Sequence, residues 1–398
     1  MQDTPKANRL HIAIFGRRNA GKSSLINAIT GQEIALVSNI AGTTTDPVYK
    51  AMELLPLGPV VLIDTAGLDD AGEIGELRVK KTKEVMDKTD LAILLFTPDS
   101  SDYSLEKEWF EDLHQRNIPI IGVINKIDAV SDETKLISNI EGSFEIPFVR
   151  VSAKNRTNIG KLKEAIQTYS PIDFERESIV GDIVKPKDIV VLVAPQDIQA
   201  PKGRLILPQV QILRDLLDND TLALTVKDTE LQNILEVLNQ KPDLVITDSQ
   251  VFDKVNRIIP TDVPLTSFSI LMARYKGDLD ILVKGAKSIN TLKPGDKILI
   301  AEACTHHPLK NDIGREKLPK WLNEKAGGAL DITVMAGIDF PEDLSQFKLI
   351  VHCGGCMFNR KQFLTRLIRA SEQNVAITNY GIAIAELNGI LDRVIEVF

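Results

Sequence analysis

Cysteine, tryptophan and histidine are scarce in this chain of 398 residues, which contains three, two and five of them respectively. Three cysteines cannot all pair with one another, and so small a number argues against a disulfide framework as a source of stability. In a reducing compartment, a few thiols are more typical of metal ligation or redox chemistry. The positions of the three cysteines are therefore informative.

Long apolar runs are also missing from the sequence. No window approaches the ~18 apolar residues that a membrane-spanning helix needs, which argues against an integral membrane protein. The first ten residues are polar and lack the apolar stretch of a secretory signal, so we expect a cytoplasmic protein.

The chain has no block of basic charge. Its net charge is −8, and its lysines and arginines are interleaved with acidic residues. Recognition of nucleic acid needs a positive patch or stripe, so we expect neither DNA nor RNA among the partners.

The chain is longer than one hydrophobic core usually covers, since domains average roughly 150 residues. Short apolar runs alternate with amphipathic segments, which predicts an α/β fold with mostly parallel sheets. We expect three domains, at residues 1–171, 172–267 and 268–398, with a polar linker after Pro171. The strands and helices expected in the first domain are Leu10–Phe15, Val60–Ile63, Leu91–Phe96, Ile118–Ile124 and Phe148–Val151, and Lys22–Thr30 and Lys161–Tyr169.

The second domain, residues 172–267, has no phosphate loop and no cluster of histidine or cysteine. A structural or dimerising role is therefore the expectation for it. The third domain is expected to begin with a helix around Ile270–Leu282, and it contains all three cysteines. The strands expected in these two domains are Ile189–Val193, Leu222–Val226, Leu244–Thr247, Lys297–Ala301, Leu330–Met335, Leu349–His352 and Val375–Thr378.

A phosphate-binding loop of the form GxxxxGKS occupies residues 16–23, between an apolar strand and a helix. Its glycines let the backbone turn N–H groups toward phosphates. Lys22 neutralises the β- and γ-phosphate oxygens, and the Ser23 hydroxyl ligates Mg²⁺. The GTP contacts predicted in this loop and the turn after it are Gly16, Asn19, Ala20, Gly21, Lys22, Ser23 and Ser24.

Three later motifs specify guanine and the metal ion. The sequence Asp-Thr-Ala-Gly at 64–67 follows an apolar strand and places a carboxylate near Mg²⁺ and a glycine N–H near the γ-phosphate. The sequence Asn-Lys-Ile-Asp at 125–128 resembles the NKxD signature of GTPases, and Ser-Ala-Lys at 152–154 resembles their final guanine-binding loop. The predicted GTP contacts here are Asp64, Gly67, Asn125, Lys126, Asp128, Ser152, Ala153 and Lys154. The chain is thus expected to be a P-loop GTPase domain followed by two further α/β domains.

The segment Ala-Gly-Thr-Thr-Thr-Asp-Pro at 41–47 resembles the first switch of the TrmE/Era/EngA-like GTPases. The resemblance implies a magnesium site made by Ser23, Thr44 and Asp64, with Thr43 or Thr45 as alternatives to the switch threonine. Leu68 stands where Ras-like enzymes carry a water-orienting glutamine.

In the TrmE-like enzymes, a potassium ion held partly by a phosphate-loop asparagine supplies positive charge, and Asn19 has that position here. The alternative for Asn19 is a turn residue. Glu73 and Glu76 are candidates for positioning water, or else they are solvated loop acids.

Three of the five histidines lie beside the cysteines, in Cys-Thr-His-His at 304–307 and His-Cys-Gly-Gly-Cys at 352–356. Cys304, Cys353 and Cys356 can hold three corners of a 4Fe-4S cluster and leave the fourth iron open. The three thiolates with one imidazole equally suit a closed structural zinc site. A CxxC redox pair is a third reading, although it leaves Cys304 unused.

The order of a TrmE-like GTPase domain, a middle α/β domain and a CxH…HCxxC constellation resembles the HydF family, GTPases that mature FeFe-hydrogenase. This resemblance covers the whole chain. It implies that Cys304, Cys353 and Cys356 ligate a 4Fe-4S cluster, with His306 and His352 as candidates for the fourth ligand or for supporting a ligand, and His307 less favoured.

The same resemblance implies GTP and GDP, Mg²⁺ and K⁺ as cofactors and a homodimer formed by the second domain. It also implies a carrier that holds the diiron precursor of the hydrogenase as cargo, with GTP hydrolysis as a switch. The partners would be the radical-SAM maturases and apo-FeFe-hydrogenase. Two other functional hypotheses stay open. One is a GTPase of ribosome assembly or tRNA modification with a structural zinc domain, and the other is a GTP-regulated redox protein.

Overall fold

The computed structural model describes residues 9–31, 47–65, 75–98, 102–129, 134–171, 178–195, 205–303, 312–337 and 339–398. The chain divides into two compact units, residues 1–176 and 177–398. Both units consist of mostly parallel sheet covered by helices, which confirms the predicted fold class. The described helices include none that is long and apolar enough to cross a membrane.

The first unit contains one six-stranded sheet in the order β2-β3-β1-β4-β5-β6, in which only β2 runs antiparallel to its neighbour. Its strands and helices are β1 (Leu10–Gly16), α1 (Lys22–Thr30), β2 (Val48–Leu54), β3 (Gly58–Asp64), α2 (Gly75–Met86), β4 (Leu91–Phe96), α3 (Ser104–Gln115), β5 (Ile120–Ile124), α4 (Thr134–Ser143), β6 (Phe148–Arg150) and α5 (Ile159–Tyr169).

Alternation of side chains along the strands divides the core of this unit into two layers. On β1, Leu10, Ile12 and Ile14 pack into a cluster on one face of the sheet, while Ala13 and Phe15 pack into a second cluster on the other face. All five are fully buried. Burial of both faces explains why the strand appears in the sequence as an apolar run interrupted only by His11.

The second unit contains two four-stranded parallel sheets, in the orders β10-β9-β7-β8 and β12-β11-β13-β14. Its elements are β7 (Ile189–Val193), α6 (Leu207–Asp218), β8 (Leu222–Val226), α7 (Leu231–Val237), β9 (Leu244–Thr247), α8 (Phe252–Ile258), β10 (Leu265–Ser267), α9 (Phe268–Lys276), α10 (Leu279–Lys287), β11 (Lys297–Glu302), α11 (Leu318–Ala326), β12 (Asp331–Ala336), β13 (Leu349–His352), α12 (Arg360–Glu372), β14 (Ala376–Asn379), α13 (Tyr380–Leu387) and α14 (Leu391–Ile395).

The two sheets of the second unit share one topology. In each, the first strand lies between the second and the third, and the fourth strand lies outside the third. Side chains from both sheets, including Val191 and Val245 from one and Ile298 and Ile350 from the other, belong to a single hydrophobic cluster. The two sheets therefore share a core, while the boundary placed at 267/268 remains a prediction.

Three elements differ from the sequence-based expectations, among them the short strand β10, which the expected strands did not include. The helix expected around Ile270–Leu282 is two helices, because the chain breaks at Gly277 and Asp278 caps α10 by accepting a hydrogen bond from the Ile281 N–H. Strand β2 was not anticipated, since its sequence is half polar and its residues are mostly exposed or half-buried. The predicted linker at 173–178 lies almost wholly outside the described residues.

Candidate functional sites

The phosphate loop connects the end of β1 to the start of α1 and requires glycine at Gly21. That residue has φ +97°, in the left-handed region, and a Cβ there would lie 2.4 Å from the Asn125 side-chain nitrogen. Asn19 also has positive φ, at 62°, and its side chain is exposed. The Lys22 ammonium is buried and donates hydrogen bonds to the carbonyl oxygens of Gly16 and Arg17.

The magnesium candidates Ser23 and Asp64 lie in direct contact. Ser23 is in the first turn of α1, ahead of Ser24, and Asp64 ends β3. The Ser23 hydroxyl donates a hydrogen bond of 2.6 Å to the Asp64 carboxylate, which is buried. Two predicted metal ligands distant in sequence therefore meet beside the phosphate loop.

Asn125 joins the phosphate loop to the final guanine motif. It follows β5 and is buried, and its amide donates to the Ala20 carbonyl oxygen at 2.9 Å. Its own oxygen accepts from the Ala153 N–H at 3.0 Å. One side chain thus fixes the distance between the loop that would hold phosphates and the loop that would hold the base.

The other base-recognition residues are arranged around Asp128. The Ser152 hydroxyl donates to the Asp128 carboxylate at 2.5 Å, and this hydrogen bond holds the pKa of that carboxyl below its usual range. The nearby Lys154 charge acts in the same direction. Asp128 is exposed and ionised, and Lys126, two residues before it, has positive φ, at 62°. A carboxylate held in this way can accept the two N–H groups of guanine.

An ion pair that the sequence did not reveal anchors the start of the phosphate loop. The Arg17 Nε donates to both carboxylate oxygens of Glu106 on α3, at 2.9 and 3.0 Å. Burial raises the pKa of Glu106, against the effect of the Arg17 charge. Because the partners are far apart in sequence, no local pattern predicts the pair.

The second candidate site lies in the second unit, in the sheet with the order β12-β11-β13-β14. Residues 353–356, here called the cysteine loop, follow β13 at the point where the strand order of this sheet reverses. The chain leaves β11 toward β12 on one side and returns to β13 on the other, so the carboxyl ends of β11 and β13 border a crevice. Ligands of open α/β sheets bind at such crevices. Ala303 comes directly after β11 and Cys353 directly after β13, and the register pairs Ala301 with His352.

Backbone N–H groups hold the Cys353 sulfur. The Ala303 N–H donates to Cys353 Sγ at 3.0 Å, and the Gly355 N–H donates a second hydrogen bond to the same thiol. Burial raises the pKa of this thiol, and the two N–H donors act in the opposite direction. Gly355 has φ +60°, the left-handed conformation that lets the loop turn back toward Cys356. Ala303, which follows β11, therefore contacts the Cys353 sulfur through its backbone.

His352 is fully buried, and both of its ring nitrogens have partners. Nδ1 lies 2.7 Å from the carbonyl oxygen of Cys353, and Nε2 lies 2.9 Å from a guanidinium nitrogen of Arg366 on α12. Burial lowers the pKa of His352 to about 3, and the Arg366 charge acts in the same direction. A neutral ring that donates from Nδ1 and accepts at Nε2 satisfies both contacts. Arg366 stacks on Phe340 and Phe358 and also donates to the Gly337 carbonyl oxygen at 3.1 Å.

Lys276, at the end of α9, is another residue whose contacts the sequence did not predict. Its side chain is buried, and its ammonium donates to backbone carbonyl oxygens of the cysteine loop. In the sequence, a lysine in the last turn of a helix resembles a solvated residue. Only its contact with a loop some 80 positions away distinguishes it.

Several predicted site residues lie outside the described residues. They are Thr43, Thr44, Thr45, Gly67, Leu68, Glu73, Cys304, His306 and His307, and the side chain of Glu76 is likewise not described. Over the part of the chain that is described, no three His, Cys, Asp or Glu side chains form a metal-binding group. The third thiol of the predicted cluster belongs to a segment that is not described.

Three family models match separate parts of the chain. Residues 11–126 match a "50S ribosome-binding GTPase" model. Residues 179–277 match the hydrogen maturase F dimerization domain, and residues 280–397 match the hydrogen maturase F tetramerization domain.

Similar curated proteins align with the first unit. The tRNA modification GTPase MnmE of Desulfotalea psychrophila is 34% identical over 164 residues, which are 40% of this chain and 34% of that protein. The GTPase Der of Sulfurimonas denitrificans is 32% identical over 173 residues, covering 41% and 35%. The chain therefore spans about a third of the length of these relatives.

Among solved structures, Aquifex aeolicus Era aligns with 55% of this chain and 92% of its own, at 20% identity and a TM-score of 0.37. The G domain of the T. maritima FeoB iron transporter aligns with 40% and 98%, at 22% identity and a TM-score of 0.31.

The two hydrogen maturase F models together account for most of the second unit, and the GTPase model and the motif geometry account for the first. The chain belongs to the hydrogen maturase F family, with a P-loop GTPase domain ahead of the two domains that carry the family's name.

Proposed function

We propose that this protein is a GTP-switched scaffold that binds a 4Fe-4S cluster and carries the diiron precursor of the FeFe-hydrogenase active site. The observation that supports this most is the convergence at the switch crevice of the second unit. There, the Ala303 N–H donates to Cys353 Sγ, and the buried Lys276 ammonium donates to the carbonyl oxygens of Gly355 and Cys356.

In the first unit, the residues that bind GTP are those of the four motifs. Gly16, Asn19, Ala20, Gly21, Lys22, Ser23 and Ser24 surround the phosphates, with Asp64 and Gly67 at the γ-phosphate; Asn125, Lys126, Asp128, Ser152, Ala153 and Lys154 bind the base. Ser23, Thr44 and Asp64 hold Mg²⁺, and the hydrogen bond from Ser23 to Asp64 supports the pairing of two of these three.

Hydrolysis is potassium-stimulated in this proposal. Leu68 cannot orient water, and a potassium ion held at the phosphate loop would supply positive charge at the transition state, as in the TrmE-like enzymes. Asn19 is exposed at the surface of the phosphate loop, where its side-chain oxygen is accessible to an ion. A slow, ion-assisted hydrolysis suits a switch whose two states differ in contacts to the γ-phosphate.

The residues of the cysteine loop fit an iron–sulfur cluster. Cys353 and Cys356 lie on one turn and form no disulfide, N–H groups are directed at the Cys353 sulfur, and Lys276 supplies a compensating charge. Cys304 completes the three thiolates, and the cluster would offer one iron with an exchangeable position. Three cysteines in the whole chain leave a Cys₄ zinc site incomplete.

We infer different roles for the two candidate histidines. His352 already uses both ring nitrogens, on Cys353 and Arg366, so it orients the loop that carries the thiolates. His306, two residues after Cys304, is the histidine left to approach the fourth iron.

A homodimer accompanies this function. The family model that matches residues 179–277 describes a dimerization domain, and the one that matches residues 280–397 describes a tetramerization domain. Strand β8 lies at the edge of its sheet, and Leu222 on it and Leu217 before it are each 56% exposed. An open strand edge beside exposed apolar side chains is a surface that pairs with another chain. We place the dimer contact there.

The partners in this proposal are the radical-SAM maturases, which supply the precursor, and apo-FeFe-hydrogenase, which receives it in the cytoplasm. The test is activation. Protein isolated after coexpression with the maturases is mixed anaerobically with purified apo-hydrogenase, and hydrogen evolution is measured. Activation by this protein, and none by protein expressed without the maturases, is expected. No activation from a preparation that contains iron would contradict the carrier role.

A further inference from the structure

Lys276 is a buried cation among backbone carbonyl groups. Its Nζ lies 2.9 Å from the carbonyl oxygen of Phe358, 3.1 Å from that of Gly355 and 3.4 Å from that of Cys356. The residue is 2% exposed. Burial lowers its pKa to about 8, and negative charge on Cys356 and Cys353 acts in the opposite direction.

The charge of this lysine lacks an acidic partner within the described ranges. Its contacts there are the three carbonyl oxygens, and the groups whose negative charge would stabilise it are Cys353 and Cys356 in their thiolate form. A buried ammonium is costly unless an opposite charge compensates it. A cluster held by three thiolates is negatively charged, and it becomes more negative when it takes up an electron. The loop therefore contains the cation that such an anion needs.

The same contacts determine the shape of the loop. The carbonyl groups of Gly355, Cys356 and Phe358 are directed at Lys276, while the Gly355 N–H reaches Cys353 Sγ. Hydrogen bonds to cluster sulfurs and nearby charge both affect the reduction potential of an iron–sulfur centre. One side chain thus governs both the hydrogen bonds and the charge around the thiolates.

We propose that Lys276 is a positioning residue for the iron–sulfur cluster, which fixes the Cys353–Cys356 loop through its carbonyl groups and favours the reduced cluster through its charge. This inference rests on the proposed cluster-binding function. Lys276 lies within the span that matches the dimerization domain, whereas the loop lies within the span that matches the tetramerization domain. The cluster loop is therefore held by a residue of the neighbouring domain.

The experiment compares the wild type with Lys276→Met, which removes the charge and the donors, and Lys276→Gln, which removes the charge but keeps an N–H donor on a shorter side chain. The matched control is Lys284→Met on α10, an exposed lysine away from the loop. Each protein is reconstituted anaerobically with iron and sulfide. Iron content and the midpoint potential from an EPR-monitored redox titration are then measured, along with thermal unfolding and oligomeric state.

For Lys276→Met and Lys276→Gln we expect a lower midpoint potential. A tenfold loss of preference for the reduced cluster corresponds to about 59 mV for one electron. Lys276→Met should also lose iron faster to a chelator, because the loop is no longer fixed. Lys284→Met should match the wild type.

Failure of cluster binding and failure of the Lys276 role give different results. A wild type that takes up no cluster overturns the proposed function and the inference together. A wild-type cluster whose potential and iron retention are the same in both Lys276 variants overturns the inference alone. If neither variant folds, Lys276 is a structural residue and the inference also fails.

Discussion

Replacement of Arg366 by methionine should destabilise the second unit of the protein. The Arg366 guanidinium donates to His352 Nε2 at 2.9 Å and to the Gly337 carbonyl oxygen at 3.1 Å, and its carbon lies 4.4 Å from the centre of the Phe358 ring. The residue is 4% exposed. Methionine retains much of the aliphatic volume but leaves both acceptors buried without a donor.

The size of the effect follows from these contacts. Hydrogen bonds from a charged donor contribute about 1.5–3 kcal/mol each. Because the variant no longer has to desolvate a guanidinium, we take the lower bound for both bonds. The free energy of unfolding of the second unit should therefore fall by about 3 kcal/mol.

The assay is guanidinium denaturation of apoprotein under reducing conditions, followed by tryptophan fluorescence. The chain has two tryptophans, Trp109 in the first unit and Trp321 in the second. A Trp109→Phe background leaves Trp321 as the reporter of the second unit. The control is Arg257→Met on α8, whose side chain is 74% exposed and pairs with Asp253 at the surface. Exposed pairs contribute about 0–1 kcal/mol.

A loss in the free energy of unfolding for Arg366→Met that is no larger than the loss for Arg257→Met would refute this prediction. Equal losses would mean that solvent or a neighbouring group satisfies His352 and Gly337 once the guanidinium is removed. The loop role assigned to His352 would then lack its support.

Three further predictions concern the nucleotide and the dimer. Asp128→Asn should weaken GTP binding about 100-fold, which is equivalent to the loss of one or two charged hydrogen bonds, and should improve the binding of xanthosine triphosphate. Calorimetry measures both affinities, and an unchanged preference for GTP would show that Asp128 does not bind the base. GTP hydrolysis should be several-fold faster in potassium than in sodium, and Asn19→Ala should abolish the difference, whereas equal wild-type rates would exclude ion assistance. Leu222→Lys should convert dimers to monomers in light scattering at matched concentration, and an intact dimer would place the contact away from β8.

Much of the fold follows from local patterns in the sequence. Buried parallel strands such as Leu91–Phe96 are continuous apolar runs, and the strand found there has the predicted bounds. The sequence pattern did not predict the antiparallel edge strand β2, because this strand mixes polar and apolar residues and one of its faces is exposed. The break between α9 and α10 was not predicted either, because apolar residues are frequent on both sides of Gly277 and Asp278.

The candidate sites divide in the same way. Phosphate and base motifs are contiguous in sequence, so Lys22 and Asp128 could be named from their neighbours. The cysteines could be named from their rarity and spacing. Lys276 and Arg366 could not, because each acts on the cysteine loop from a different helix, and a buried cation has the same sequence signature as a solvated one. Tertiary contacts alone reveal these two residues.

The central claim is that the cysteines hold iron in a GTPase scaffold, and anaerobic metal analysis with EPR tests it most directly. Wild type and Cys353→Ser are reconstituted side by side, and iron, zinc and the spectrum of the dithionite-reduced protein are measured. We predict about four iron atoms per wild-type chain and a reduced-cluster signal that the variant loses. Stoichiometric zinc without iron in the wild type would contradict the account and would make residues 268–398 a structural module of a ribosome-assembly or tRNA-modification GTPase.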